Sequence, residues 1–337
     1  MSVQTSAYTS DALPGATVDA VVIGGGAAGL NGALMLARSR RSVAVIDSGT
    51  PRNAPAEAMH GFIVLDGTPP TEILERGREQ VRRYGGRVVF AEVASAEPAA
   101  PSADGDLRFT VTLADNRAIT ARRLLVATGL RDVLPDVPGF AEHWGRSVVH
   151  CPYCHGWEVR DEPIGVLATG PASVHHTLLF RQLTEDLVYF TRGTALDENT
   201  RARFAARNIR VVDTPVKGVE KAADGGVAGV RLADGAFTAR RVLAVATRMQ
   251  ARTEGLAGLE LPMEDLPEDT GRRFASGMAG TTDVPGVWVA GNATDLSAQL
   301  GASAAAGALA ASHINSVLAA ADTDAALAAT RSGTTAA

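Results

Sequence analysis

Short apolar runs alternate with segments of helical periodicity in the first part of the chain. Asp19–Ile23 (DAVVI) predicts a buried strand, and it ends in a glycine-rich turn. The residues after the turn place apolar side chains along one side of a helix: Leu30, Ala33, Leu34 and Ala37. A second strand is predicted at Ser42–Ile46. This order of strand, turn, helix and strand is typical of an α/β fold with a parallel sheet.

Four later segments carry a similar strand signal. Leu124–Gly129 (LLVATG) and Thr282–Asn292 (TDVPGVWVAGN) each predict a strand that ends in a turn of small residues. Ile164–Leu167 and Leu187–Phe190 predict two more short strands. The α/β pattern therefore extends over most of the chain.

Length and charge narrow the class of protein. The 337 residues suggest two domains, and a net charge of −5 gives no electrostatic reason to expect nucleic acid or an anionic membrane as partner. Residues 1–18 lack the basic start and apolar core of a secretory signal, so we expect a flexible tail there. Gly301–Ala321 is a weak membrane span because it is rich in small residues and contains His313 and Asn315. We expect a tightly packed helix there, and a soluble, cytoplasmic protein.

The first glycine-rich turn has the spacing of a dinucleotide-binding fingerprint. It follows a strand, opens a helix, and is followed by an acid, Asp47, roughly 20 residues downstream, where such an acid binds ribose hydroxyls. The glycines allow a tight turn whose N–H groups approach a pyrophosphate at the positive end of the helix. The predicted binding residues of this turn are Gly24, Gly26, Ala27, Ala28 and Gly29.

The two cysteines of the chain stand together as Cys151-Pro-Tyr-Cys154. A zinc site would have to be completed by His150 or His155, since no second cysteine pair exists. We favour redox work over a metal site, because one thiol of a close pair resolves the mixed disulfide that the other forms. The sequence therefore predicts a thiol–disulfide oxidoreductase and no metal.

The fingerprint and the two later motifs together resemble flavoproteins with two dinucleotide-binding domains. In that family the last motif holds the ribityl chain of FAD, which implies FAD as the cofactor here. The family usually has Asp where this chain has Asn292, whose amide still forms hydrogen bonds but carries no charge. The resemblance implies that the following helix begins under the flavin. The FAD contacts implied by these motifs are Ala127, Thr128, Gly129, Gly291, Asn292, Gln299 and Leu300.

The order of motifs resembles the low-molecular-weight, bacterial-type thioredoxin reductases over most of the chain. This resemblance implies two Rossmann-like, three-layer α/β domains, the second inserted into the first. The implied boundaries are a discontinuous FAD-binding domain at 19–130 and 251–321, an inserted domain at 131–250, and a flexible tail at 322–337. By the same resemblance, Cys154 lies against the flavin and Cys151 exchanges with the substrate.

Several polar residues near these motifs are candidates for catalysis or flavin binding. His155 stands where thioredoxin reductases have an acid, and His150 directly precedes the first cysteine. Both titrate near neutral pH and are candidates for moving a thiol proton. Asn53 and His60 lie in the segment that approaches the flavin in related proteins, so we predict them as flavin contacts.

The second fingerprint, which would bind NADPH in a reductase, is altered. Ala168 and Ser173 replace two of its glycines, and Pro171 lacks an N–H. Thioredoxin reductases place a His-Arg-Arg…Arg cluster after the next strand to hold the 2′-phosphate. The corresponding positions here are Thr191, Arg192, Gly193 and Asp197. An acid at the last of them would repel the phosphate, so NADPH is disfavoured.

An intact dithiol beside an altered NADPH site resembles the FAD-dependent dithiol oxidases that close disulfides in gliotoxin-type and holomycin-type natural products. This resemblance implies a homodimer that oxidises a small-molecule dithiol, with O2 as acceptor and H2O2 as product. Two alternatives remain open: an NADPH-dependent thioredoxin-disulfide reductase and a non-enzymatic flavin redox sensor.

Overall fold

The computed structural model describes residues 10–103 and 105–334. The strands up to the middle of the chain are β1 (Val18–Ile23), β2 (Val43–Asp47), β3 (Arg87–Phe90), β4 (Val93–Ala99), β5 (Arg108–Leu113), β6 (Ala118–Val126), β7 (Leu130–Val133), β8 (Val148–Val149), β9 (Ile164–Leu167) and β10 (Leu187–Phe190). The remaining strands are β11 (Arg210–Val212), β12 (Val216–Lys221), β13 (Val227–Leu232), β14 (Phe237–Ala239), β15 (Val242–Val245), β16 (Arg248–Ala251), β17 (Met263–Asp265), β18 (Gly271–Phe274) and β19 (Val287–Val289). The helices are α1 (Ala27–Arg38), α2 (Pro70–Arg83), α3 (Pro152–His155), α4 (Ala172–Phe180), α5 (Glu198–Ala206) and α6 (Leu300–Thr334).

The first sheet has seven strands in the order β3-β2-β1-β6-β5-β4, with β19 also paired to β6. Strands β3, β2, β1, β6 and β19 run parallel, whereas β4 and β5 form an antiparallel edge. The central strands are valine-, leucine- and isoleucine-rich and buried on both faces, as a parallel sheet requires. Helices α1 and α6 cover one face, and a second apolar cluster covers the other.

The second sheet has five parallel strands in the order β11-β10-β9-β15-β8. Residues of α4 and α5 pack on one face, and the three-stranded sheet β12-β13-β14 packs on the other. The predicted strands Ile164–Leu167 and Leu187–Phe190 coincide with β9 and β10. The predicted fold class, two three-layer α/β domains with one inserted into the other, is confirmed.

The chain passes between the two sheets through a pair of neighbouring strands. Leaving the first sheet it forms β7, and returning it forms β16, which pairs antiparallel with β7. Both strands belong to a four-stranded sheet with β17 and β18. The boundaries drawn at 130–131 and 250–251 fall in these strands and stay predictions.

The predicted tails stay predictions, although residues of both make defined contacts where the structure describes them. At the N-terminal end, the backbone N–H of Asp11 donates to Val88 O (2.9 Å), and its carboxylate accepts from the Val88 N–H (2.7 Å). At the other end α6 continues to Thr334, and Asp322 accepts hydrogen bonds of 2.6 Å from both Arg41 and Arg122. These contacts with residues distant in sequence fix the two segments, although the composition of each segment is typical of a flexible tail. Residues 1–9 of the predicted tail lie outside the described residues.

Helix α6 is the one helix in the described residues with the length and apolarity of a membrane span, which core helices also meet. Ala310, Ala311, Ile314 and Leu318 of this helix are buried in the core. A Cβ at Gly307 would lie 1.9 Å from the carbonyl oxygen of Ala28, so only glycine allows α6 to approach α1 this closely. The segment 301–321 is therefore tightly packed, as predicted, on the face of α6 where Gly307 contacts α1.

Candidate active site

The glycines of the first fingerprint shape a cradle at the end of β1. Gly24 has a φ of +107°, which glycine adopts readily and other residues rarely do. A Cβ at Gly29 would lie 1.8 Å from the carbonyl oxygen of Gly24. A Cβ at Gly25 would lie 2.4 Å from a carboxylate oxygen of Asp47. Any larger residue at Gly25 or Gly29 would force the turn apart, so the chain requires glycine for geometric reasons.

The start of α1 is open to an anion. Its N-cap, Gly26, provides no side-chain hydrogen bond, and the helix dipole and free N–H groups point toward the cradle. Asp47 is buried at the end of β2, where it accepts hydrogen bonds from the Gly49 N–H (3.1 Å) and from Arg78 (3.2 Å). An anion-binding helix end next to a fixed acid is the arrangement that a dinucleotide needs.

The other predicted FAD residues follow strands of the same sheet. Ala127 directly follows β6, and Gly291 is the second residue after the end of β19. Because β1, β2, β6 and β19 are parallel, their carboxyl ends meet at one edge. Backbone hydrogen bonds join these ends: Ala127 N–H donates to Ile23 O (2.8 Å), and Ala290 N–H donates to Val126 O (2.9 Å). The predicted cofactor residues that follow these strands therefore lie at one edge of the sheet, and the glycine turn among them fits a dinucleotide such as FAD.

Asn292 has a structural reason to replace the usual acid. Its side-chain amide donates to the carbonyl oxygens of Asp295 and Ala298 at 2.9 Å each, and more weakly to that of Leu296. A carboxylate at this position would face several carbonyl oxygens and repel them. Asn292 therefore closes the loop before α6 with its nitrogen, and its Oδ1 accepts no hydrogen bond from the residues that the structure describes.

The segment around His60 reaches both the start of α6 and the dithiol. The Phe62 ring lies 3.2 Å from the position of a Cβ on Gly301, and Gln299 is exposed beside Gly61. His60 Nδ1 lies 3.3 Å from Asp66, and His60 Nε2 lies 3.4 Å from the carboxylate of Glu158. Asn53 is half-buried, and its backbone carbonyl accepts the Ala56 N–H at 3.0 Å. The contact with Glu158 joins the first sheet's loop to the residues that follow the dithiol.

The two cysteines form a disulfide at the start of α3. Cys151 is the N-cap of this short helix, and the Cys154 N–H donates to Cys151 Sγ at 3.1 Å. Pro152 occupies the first helical position, where its missing N–H costs nothing. An N–H aimed at Sγ stabilises a thiolate on Cys151 once the disulfide is reduced.

His155 lies beside the dithiol in a poorly hydrated position. Neither ring nitrogen forms a hydrogen bond with the residues that the structure describes, and both are buried. This burial lowers the pKa of the His155 imidazole below its usual value, against the opposing effect of Glu158. The ring is therefore neutral near pH 7 and has a free nitrogen with which to accept a thiol proton.

His150 belongs to a hydrogen-bonded chain that joins the dithiol to both crossing strands. Its Nδ1 lies 3.0 Å from Val245 O and 3.4 Å from the Thr247 hydroxyl. Thr247 donates to Asp132 at 2.6 Å, and Asp132 accepts two hydrogen bonds of 2.7 Å from Arg52. Burial lowers the pKa of His150, and Arg52 acts in the same direction. His150 is thus neutral and firmly oriented.

His176 of α4 lies under this arrangement. Its ring stacks on that of His150 with centroids 5.7 Å apart, and its Nε2 is hydrogen-bonded to the backbone carbonyl of His150. Burial lowers the pKa of His176 to about 4. Sequence reasoning missed His176, Thr247, Asp132 and Glu158, because nothing in their local sequence links them to the dithiol.

Two aromatic side chains beside the cysteines face solvent. Tyr153 is 66% exposed and Trp157 is 68% exposed, and the Arg160 guanidinium lies 4.1 Å from the centre of the Trp157 ring. In the described part of the chain no group of three His, Cys, Asp or Glu residues comes together to hold a metal. The surroundings of the dithiol therefore offer apolar contacts and proton acceptors.

In the second fingerprint, hydrogen bonds from the chain's own side chains occupy polar groups of the turn. The Ser173 hydroxyl accepts the Thr169 N–H at 2.9 Å and lies 3.1 Å from the Thr169 hydroxyl. Arg192 folds back to donate to the carbonyl oxygen of Ala168 at 3.0 Å. Asp197 serves as the N-cap of α5, where it accepts the Thr200 N–H at 2.6 Å. The turn therefore uses internally the groups that would otherwise meet a phosphate.

Comparisons with known proteins agree with this geometry. Residues 18–321 match the family model for pyridine nucleotide-disulphide oxidoreductases. Thioredoxin reductase tcpT of Claviceps purpurea (strain 20.1) is 35% identical over 282 residues, which are 82% of this chain and 86% of that protein. Thioredoxin reductase sirT of Leptosphaeria maculans is 34% identical over 64% of this chain and 70% of its own length. The crystal structure of HlmI is 42% identical with a TM-score of 0.88, and the match covers 97% of this chain and all of that one.

Proposed function

This chain belongs to the pyridine nucleotide-disulphide oxidoreductase family, and from that premise we propose that it is an FAD-dependent dithiol oxidase. Its substrate is a small natural-product dithiol, which leaves with an intramolecular disulfide. One contrast carries the proposal: the first dinucleotide cradle is open, whereas Ser173 and Arg192 occupy the turn of the second. The chain thus has one nucleotide site and a redox-active disulfide.

The reaction begins with the oxidised Cys151–Cys154 pair. A substrate thiolate attacks Cys151 Sγ, the disulfide breaks, and Cys154 leaves as a thiolate. The second substrate thiolate then attacks the substrate sulfur in the mixed disulfide, which forms the product disulfide and releases Cys151 as a thiolate. His155, whose ring burial keeps neutral by lowering its pKa, would accept a substrate thiol proton.

FAD, when bound, would accept the two electrons of the reduced dithiol and pass them to O2. Substrate dithiol and O2 are thereby converted into substrate disulfide and H2O2, so atoms and electrons balance. The residues suited to hold FAD are those of the open cradle, the acid Asp47 and the Asn292 loop. The likeness to HlmI and to the tcpT and sirT proteins supports a thioredoxin-reductase-like oxidoreductase.

The exposed aromatic side chains Tyr153 and Trp157 support an apolar small molecule as the substrate. We extend the proposal to a cytoplasmic homodimer. The second candidate function is an NADPH-dependent thioredoxin reductase, which the names of the curated relatives favour. It requires a cation for the 2′-phosphate, yet Arg192 is bonded to Ala168 O and Asp197 caps a helix.

Anaerobic reduction of the flavin separates the two functions. We expect a small dithiol to bleach the flavin quickly, and air to restore the oxidised spectrum with release of H2O2. Millimolar NADPH should bleach it slowly or leave it unchanged. Rapid, saturable bleaching by micromolar NADPH would make the protein a reductase, and failure of both NADPH and every dithiol to bleach it would exclude both enzymes.

A further inference from the structure

Arg252 lies on the cofactor crevice, although no fingerprint motif contains it. It directly follows β16, the strand by which the chain returns to the first sheet. Its N–H donates to Gly129 O at 3.0 Å, and its carbonyl oxygen accepts the Thr128 hydroxyl at 2.8 Å. Two predicted FAD residues therefore fix its backbone.

The side chain of Arg252 crosses to the turn after Asp47. Its Nη1 donates to the carbonyl oxygen and to the hydroxyl of Thr50, at 3.1 and 3.2 Å. Burial lowers the pKa of Arg252, Arg131 lowers it further, and Asp47 acts in the opposite direction through space. Through Thr50, three residues after Asp47, the guanidinium lies near the acid predicted to bind ribose.

Arg252 differs from two other arginines of the first sheet's loops and helices, the partly buried Arg52 and the fully buried Arg78. Arg52 pairs with Asp132, and Arg78 contacts Asp47. Arg252 has no carboxylate within ion-pair distance among residues 10–103 and 105–334, only the neutral oxygens of Thr50. Partial desolvation of an uncompensated cation is costly, and an anion brought to it would recover that cost.

We propose that Arg252 is a cofactor-binding residue that contacts the anionic ADP half of FAD. This role of Arg252 rests on the proposed function only in that the bound cofactor is FAD. The open start of α1 supplies N–H groups from one side of the crevice, and Arg252 supplies the charge from the other. A residue directly after β16, the strand by which the chain returns from the inserted domain, would therefore help to hold a cofactor bound to the first sheet.

FAD and FMN distinguish this role from a structural one, because FMN lacks the AMP portion. Apoprotein of the wild type, Arg252→Gln and Arg252→Lys would be titrated with each flavin, following the quenching of flavin fluorescence. We expect Arg252→Gln to weaken FAD binding roughly 10- to 100-fold, the loss of a charge-assisted hydrogen bond, and to leave FMN binding unchanged. Arg252→Lys should recover part of the affinity.

Arg131→Gln is the matched control, because Arg131 is a neighbouring arginine that already pairs with Glu254. It should leave binding of both flavins unchanged. Equal FAD affinity in the wild type and Arg252→Gln would overturn the inference, as would an equal loss for FAD and FMN. Wild-type apoprotein that binds neither flavin would overturn the proposed function as well, whereas unchanged FAD affinity in an Arg252→Gln protein that still oxidises dithiols would refute only the inference.

Discussion

The two fingerprint turns occupy equivalent places in two sheets, yet one is open and the other is closed. Neither α1 nor α4 has a side-chain cap at its start, but contact distances require glycine at Gly25 and Gly29 of the first turn. In Ala168–Ser173 a single hydroxyl, fully buried, takes the Thr169 N–H. The two sheets are alike, and the turns differ in their side chains. If the proposed function is correct, these side chains decide which turn binds a phosphate.

Removal of the dithiol should have the largest effect, because in the proposed reaction every electron that passes from the substrate to FAD goes through it. We expect Cys151→Ser and Cys154→Ser each to lower dithiol oxidation by about a thousandfold or more while FAD stays bound. If Cys154 is the flavin-side thiolate, a long-wavelength charge-transfer band will appear in reduced Cys151→Ser and be absent from Cys154→Ser. A band retained in Cys154→Ser would reverse the two roles.

Exchange of the turn residues tests the comparison itself. Gly29→Ser places in the open turn the residue that closes the second one, where its Cβ would lie 1.8 Å from Gly24 O. We expect FAD binding to weaken by about 100-fold, since the N–H groups that meet the diphosphate are displaced. Equilibrium titration of apoprotein measures this loss, and circular dichroism verifies that the variant is folded. Unaltered FAD affinity would show that the turn geometry is not what binds the cofactor.

The opposite exchange, Ser173→Gly, should have a smaller effect. It frees the Thr169 N–H, which is hydrogen-bonded to the serine hydroxyl in the wild type. We expect the NADPH affinity to rise about tenfold, which corresponds to the gain of one hydrogen bond. The affinity should remain poor, because Arg192 and Asp197 are unchanged. Isothermal titration with NADPH reports the change, with FAD affinity as the internal control. A protein already saturated by micromolar NADPH before the change would contradict the description of the site as closed.

The helices that follow the two turns should differ in their response to acid. Helix α1 buries only apolar residues and glycine, whereas α4 buries His176, whose pKa is lowered to about 4 from 6.5. The unfolded chain therefore binds the extra proton first, so stability falls as pH drops from 6.5 toward 4 and levels off below. From pH 7 to 5.5 this amounts to about 1 kcal/mol.

His176→Gln keeps a side-chain donor for the His150 carbonyl and removes the titration. Urea unfolding of both proteins at pH 7 and 5.5 measures the difference, and the other ionisable groups cancel in the comparison. We expect the variant to lose about 1 kcal/mol less than the wild type over this range. An identical loss would mean that the pKa of His176 is not lowered in the folded protein.

Local patterns predicted the strands and the open turn well. β9 and β10 match their predicted bounds, and the predicted Ser42–Ile46 strand is shifted by one residue in β2. These features depend on residues close in sequence, such as apolar runs and glycine spacing. Asp197 was read as an acid that repels phosphate, and it is also a helix cap, a role that its neighbours could have indicated.

Contacts between distant segments could not be predicted from the sequence. The pairs His60–Glu158 and Asp132–Thr247 join residues 98 and 115 positions apart, and no local signal marks either partner. Arg252 was overlooked for the same reason, since its position depends on how the returning strand packs. The assignments of individual residues to FAD and to catalysis stay predictions until the variants are measured.

The pairing of β7 with β16 has a consequence for how such a protein arises. Val133 and Arg248 are directly opposite each other, so the chain enters and leaves the inserted region at one point, with the two Cα atoms about 5 Å apart. A two-residue hairpin turn would close that gap and leave the first sheet uninterrupted. Residues 134–247 are in this respect a cassette: recombination could add, remove or replace them, dithiol included, without rebuilding the flavin-side scaffold.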